Sequence, residues 1–150
     1  MITGVDHVVL YAADAEATIG FYRDVLGCTV LYEHEWRAGQ RPVFGLRLGH
    51  ADGIYLNVHP PGRELHPRAN NAAPGGLDIC LRVDLSAAQI SDHLAAHNVV
   101  IEVGPAPRLD AFGRPSTSFY IRDPDANLVE LMAPNDVGTP NSQTRESRRG

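Results

Sequence analysis

Apolar and polar residues alternate over 5–11, which predicts a strand. Asp14 then precedes a helical stripe of Ile19, Tyr22 and Leu26 that Gly27 is placed to end. Apolar and β-branched runs over 28–36, 43–48 and 54–59 predict three more strands, the last two joined by a turn over 49–53. After a stretch rich in Pro, Gly and Asn, the same order returns. Residues 77–83 read as a strand, and Ser86 with Gln89 forms a capping box for a helix running to about His97, with Asn98 as its stop. Strands follow near 99–103, 116–122 and 128–133, with the turn Asp123-Pro124-Asp125-Ala126-Asn127 before the last. The pattern is a tandem βαβββ repeat, an α+β chain with modules over about 4–60 and 76–134 and a linker over 61–75.

The register supports the repeat. Val5-Asp6-His7-Val8-Val9-Leu10 aligns with Gly76-Leu77-Asp78-Ile79-Cys80-Leu81, and Asp52-Gly53-Ile54-Tyr55-Leu56-Asn57 aligns with Asp125-Ala126-Asn127-Leu128-Val129-Glu130. The two offsets differ by only a short loop's length. Residues 135–150 have almost no apolar content and read as a disordered tail beyond a single domain over 1–134.

Side chains alternate faces along a strand, so parity sorts each strand into two surfaces. One parity is apolar: Val8 and Leu10, then Ile54, Leu56 and Val58, then Ile79, Leu81 and Val83, then Val129 and Leu131. It is expected to pack on the helices. The other carries His7, Val9 and Tyr11, then Tyr55, Asn57 and His59, then Asp78, Cys80 and Arg82, then Leu128, Glu130 and Met132. This face reads either as solvated sheet or as a site. The repeat places His7 equivalent to Asp78 and Asn57 equivalent to Glu130, so related strands can bring all four to one axis. Imidazole and carboxylates around an open position suit a divalent cation, and the remaining polar surface suits a small oxygen-rich ligand.

Composition narrows the classes. The chain has 150 residues, 43% of them hydrophobic, and a net charge of -5. All 13 basic residues are arginine, so no lysine base or Schiff base is available. An acidic chain is poorly suited to a phosphate backbone, so no nucleic-acid partner is expected. No run approaches the roughly 18 to 20 apolar residues of a membrane span, and the N-terminus lacks a signal-peptide pattern, which predicts a cytoplasmic protein without a membrane partner. Cys28 and Cys80 sit in apolar runs without metal-type spacing and read as buried thiols. His34, His50, His93 and His97 read as solvated, and His66 falls in the linker.

Three segments carry a resemblance: Val5-Asp6-His7-Val8-Val9-Leu10, Phe21-Tyr22-Arg23-Asp24-Val25-Leu26-Gly27, and Phe119-Tyr120-Ile121-Arg122-Asp123-Pro124-Asp125-Ala126-Asn127-Leu128-Val129-Glu130. Together they resemble the vicinal oxygen chelate superfamily of glyoxalase I, bleomycin and fosfomycin resistance proteins and type I extradiol dioxygenases. Tyr55-Leu56-Asn57-Val58-His59 and the segment Gly62-Arg63-Glu64-Leu65-His66-Pro67-Arg68-Ala69 are similar to its small glyoxalase-domain members. The resemblance implies two βαβββ modules forming an incomplete barrel around a divalent metal, commonly in a homodimer.

Carried over by position, the resemblance implies metal ligation by His7, Asp78 and Glu130. Asp78 stands where the family usually has histidine, and Asn57 where glyoxalases place Glu or Gln. The implied cation is Mn, Ni, Zn, Mg or Fe, the Asp favouring harder ions than the two-histidine iron triad. Tyr55, Asn57 and Tyr120 are implied to contact substrate, with Glu130, His59 and Tyr120 as catalytic candidates. His59 and Tyr120 read equally well as passive lining. The leading expectation is a metal-dependent, glyoxalase-like isomerase or lyase acting on a small oxygenated molecule. The alternatives are an Fe(II) extradiol dioxygenase and a non-catalytic, ligand-sequestering module of the bleomycin-resistance type.

Overall fold

A computed structural model describes residues 1–62 and 65–135. The first module contains strand β1 (His7–Tyr11), helix α1 (Ala15–Gly20), and strands β2 (Thr29–Leu31), β3 (Phe44–Arg47) and β4 (Tyr55–His59), with a short helix α2 (Glu33–Arg37) after β2. The second contains β5 (Asp78–Arg82), helix α3 (Ala87–Ala96), β6 (Val103–Leu109), β7 (Pro115–Arg122) and β8 (Leu128–Pro134). Each module forms one open four-stranded sheet, ordered β1-β4-β3-β2 and β5-β8-β7-β6. In each, the first strand lies parallel to the last and the other pairings are antiparallel. The expected repeat is thus the observed topology. The tail over 136–150, and Arg63 and Glu64 of the linker, lie outside the described residues.

Local chemistry accounts for the helix boundaries. The Asp14 carboxylate accepts from the Glu16 and Ala17 amides and caps α1. Ser86 and Gln89 make the expected reciprocal box at α3, and Asn98 follows with φ 56. From Phe21 to Val25 the first helix widens into a π turn before Gly27 stops it at φ 70. The extra residue per turn re-aims side chains. Phe21 and Leu26 thereby pack against both hydrophobic cores, as does Ile79 of β5.

Two expected strands needed correction. The run over 28–36 is strand only to Leu31, because Tyr32 turns left-handed at φ 60 and the chain enters α2, where Arg37 pairs with Glu33 and Glu16. The strand placed at 99–103 begins only at Val103 and continues through Pro105 and Pro107. Those prolines are tolerated because β6 is an edge strand, hydrogen-bonded only to β7. Gly104 lies at φ +135, and a Cβ there would stand 2.8 Å from the Ser118 carbonyl oxygen and 3.0 Å from the Phe119 Cα. Gly104→Ala is therefore expected to lower stability by about 2 to 4 kcal/mol in denaturant titration, since neither backbone atom can withdraw cheaply.

The parity assignment holds for most strands. Leu10, Leu56, Val58, Val129 and Leu131 are buried, and Val8, Ile79, Leu81 and Val83 are partly buried against the cores. Ile54 is the exception at 37% exposure, because it precedes β4 at the end of the turn.

Candidate functional site

The opposite parity lines the open face of each sheet. In the first module, cross-strand pairing places His7 beside Tyr55, Val9 beside Asn57 and Tyr11 beside His59. The His7 ring stacks on Tyr55 at 5.2 Å between centroids, and its Nδ1 lies 2.7 Å from the Asp6 carboxylate. A carboxylate on one imidazole nitrogen fixes ring orientation and raises the basicity of the other, the usual second partner of a metal-binding histidine. Asp6 precedes the strand, so strand parity does not mark it, and only its adjacency to His7 in the chain signals the pair.

His59 closes the same face. Its ring meets Tyr11 edge-on at 5.1 Å, Asn57 Nδ2 lies 3.4 Å from its Nε2, and its Nδ1 is buried with no hydrogen-bond partner among the described residues. Desolvation, then the nearby His7, pulls its pKa below the ordinary histidine value. A depressed folded-state pKa stabilises the fold fully above the unfolded value, and that contribution is lost as pH falls through the lower folded value. Thermal midpoints measured from pH 7 to pH 5 should consequently fall less steeply for His59→Gln than for the parent chain.

In the second module Asp78 pairs with Leu128, Cys80 with Glu130 and Arg82 with Met132. Tyr120 lies directly across from Glu130 on the other side, and its hydroxyl accepts from Arg108 Nε at 2.9 Å. Cys80 is exposed on this face rather than buried, because its parity is that of the open side; Cys28 is buried as expected. Partial desolvation of its sulfur and then the neighbouring Glu130 charge push the Cys80 thiol up to about 11, so it is neutral at neutral pH. His93 also departs from expectation: it is half-buried, and its Nε2 lies 2.7 Å from the Val25 carbonyl oxygen, tying α3 to the π turn.

His7 and Asn57 thus belong to one sheet and Asp78 and Glu130 to the other. Among the described residues, no three His, Cys, Asp or Glu side chains are grouped to hold a cation within one chain. The donors nonetheless suit one chemically. His7 keeps one nitrogen unengaged behind a carboxylate-bound partner, and Asp78 and Glu130 lie on an open face.

The turn Asp123–Asn127, legible in sequence only as a turn, joins the modules. Asp123 accepts from the Tyr22 hydroxyl at 3.0 Å, from the Asp125 and Asn127 amides at 2.9 Å each, and from Asn127 Nδ2 at 2.8 Å. Asn127 Oδ1 accepts from the Leu77 amide, and Asp125 from the Ala13 amide. These polar residues, part of the motif that carried the resemblance, are structural.

Similar proteins share the architecture. The chain is 34% identical over 136 residues to the glyoxalase domain-containing protein RDO1 of Mycosarcoma maydis, covering 91% of this chain and 71% of that protein. It is 31% identical over 131 residues to virulence protein STM3117 of Salmonella typhimurium, covering 87% of this chain and 84% of that one, whose crystal structure superposes with a TM-score of 0.77. An integron cassette protein from the mobile metagenome of V. cholerae is 36% identical at a TM-score of 0.75, over 89% of this chain and 96% of its own. The model of the Glyoxalase/Bleomycin resistance protein/Dioxygenase superfamily matches residues 4–131, and with the paired βαβββ sheets this places the chain in that superfamily.

Proposed function

We propose that the protein is a divalent-metal-dependent enzyme of the glyoxalase-like isomerase or lyase kind, acting on a small molecule with adjacent oxygens. The observation that carries this is the Asp6–His7 pair at the start of β1, which engages Nδ1 and leaves Nε2 without a hydrogen bond among the described residues, on a face whose repeat counterpart bears Asp78 and Glu130. His7, Asp78 and Glu130 would hold the cation. A cation held there supplies Lewis-acid chemistry, drawing negative charge from adjacent substrate oxygens. Asn57 and Tyr55 orient the substrate from the first module. Glu130 or His59 takes and returns the proton, the His59 ring lying on the same open face as Asn57.

The donors divide between modules, so the site is completed by a second copy of the chain, with the first module of one facing the second module of the other. A homodimer of this kind would also cover the open sheet faces. Glu130→Ala should abolish uptake of Mn, Ni or Zn that the parent protein shows in elemental analysis after incubation and desalting. A parent protein that takes up none of them contradicts the proposal.

A second reading, ring cleavage with Fe(II), draws on Tyr120, whose hydroxyl shares a cross-strand row with Glu130. Oxygen consumption with catechols after anaerobic iron loading distinguishes it from isomerase or lyase activity.

A further inference from the structure

A cavity of about 230 Å³ opens at the far end of the second module's open face, lined by Arg82, Asp110, Arg114, Ser116, Met132 and Asn135 among others. It belongs to the same surface as the proposed metal ligands. Arg82 and Met132 form one cross-strand row with Ser118, and Cys80, Glu130 and Tyr120 form the row before it. Two residues along a strand separate the rows, about 7 Å.

The charges in this cavity do not cancel. The Asp110 carboxylate, 8% exposed, accepts from the Phe112 and Arg114 amides and from the Arg114 guanidinium, which together hold its pKa down to about 2. That pair ties off the hairpin between β6 and β7 and fixes Arg114 in place. Arg82 has no carboxylate within ion-pair distance among the described residues, and it makes no hydrogen bond to them. Ser116 lines the cavity beside the two arginines, its hydroxyl donating to the Arg114 carbonyl at 3.3 Å. The equivalent row of the first module carries Tyr11 and His59, so the cation is peculiar to the second module. A guanidinium with no ion-pair partner among the described residues, in a concave, partly apolar pocket beside a second arginine already held in position, is an arrangement for a planar or tetrahedral oxyanion.

We propose that this cavity is an anion subsite that takes a carboxylate or phosphate-type group of the substrate, with Arg82 as its main partner and Arg114 as fixed support. Resting on the function proposed above, it defines the substrate class as a small acid that carries its anionic group one cross-strand row beyond its adjacent oxygens.

The test uses the full chain, with malonate and inorganic phosphate as separate probes followed by amide chemical shifts and titration calorimetry. Either probe should shift the resonances of Arg82, Ser116 and Met132, and the stronger binder identifies the kind of anion. Arg82→Gln should weaken binding about tenfold or more, and Arg82→Lys should restore part of it. Thermal midpoints of both variants should match the parent, since the Arg82 side chain makes no hydrogen bond or ion pair among the described residues. Glu130→Ala should leave anion binding unchanged while removing cation uptake. Absence of binding by both probes at tens of millimolar, or full binding by Arg82→Gln, overturns the subsite. Anion binding at Arg82 in a protein that takes up no cation overturns the substrate assignment and the metal-dependent reading together, while the anion site itself stands.

Discussion

Asp123→Ala should destabilise the protein by about 3 to 5 kcal/mol, more than removal of any residue of the proposed site. Asp123 is 5% exposed and accepts four hydrogen bonds, two from backbone amides of its own turn, one from Asn127 and one from Tyr22 of the other module. Burial and then the adjacent carboxylate push the Tyr22 phenol far above its ordinary pKa, so it acts as a neutral donor throughout the accessible range. With alanine at 123, a hydroxyl in a fully buried tyrosine and an amide in a fully buried asparagine lose their acceptor, and neither can turn to water.

Tyr22→Phe should cost only about 1 kcal/mol, because Asp123 keeps three donors and the ring still fills its place. Combining the two changes should cost less than their sum, since phenylalanine removes one of the stranded donors. Equilibrium urea unfolding of the parent, both single variants and the double variant measures that coupling. Fully additive losses would mean that Tyr22 and Asp123 do not act as one clamp.

The sequence was informative where a local rule and the repeat agreed. Asp14, Ser86 and Asn98 act through bonds within a turn of helix, so their neighbours in the chain sufficed to identify them. The faces of the strands were legible because a packed sheet allows only one parity inward, and that same rule placed His7, Asn57, Asp78 and Glu130 on open faces. Where the outcome depended on the partner strand, the chain was silent. Pro105 and Pro107 argue against a strand until β6 is known to be an edge, and Tyr32 gives no sign of the left-handed turn that separates β2 from α2. Cys80 was read from its apolar neighbours, whereas its parity decided its exposure. The Tyr22–Asp123 bond and the meeting of Arg82 with Arg114 in one cavity are long-range facts that no local pattern carries.

Mixing His7→Ala chains with Glu130→Ala chains should restore function that neither has alone. If each site takes His7 from one copy and Glu130 from another, either variant by itself carries the defect in every site and should lose cation uptake and activity by at least a hundredfold. A mixed dimer is different. One of its sites unites both defects, while the other receives the unaltered first module of one chain and the unaltered second module of its partner. Random reassembly makes half of the dimers mixed, so about a quarter of all sites regain the full donor set. The measurement is cation content and turnover after the two variants are unfolded together in urea and refolded, against each refolded separately. Recovery to about a quarter requires donors contributed by two chains, because a site confined to one chain would carry its own defect into every assembly and recover nothing. The Asp6–His7 pair makes the same experiment sensitive to orientation as well as ligation. Asp6→Asn, which keeps a hydrogen-bonding partner but removes the charge behind the imidazole, should weaken cation binding about 10-fold to 100-fold and be complemented by Glu130→Ala chains just as His7→Ala is.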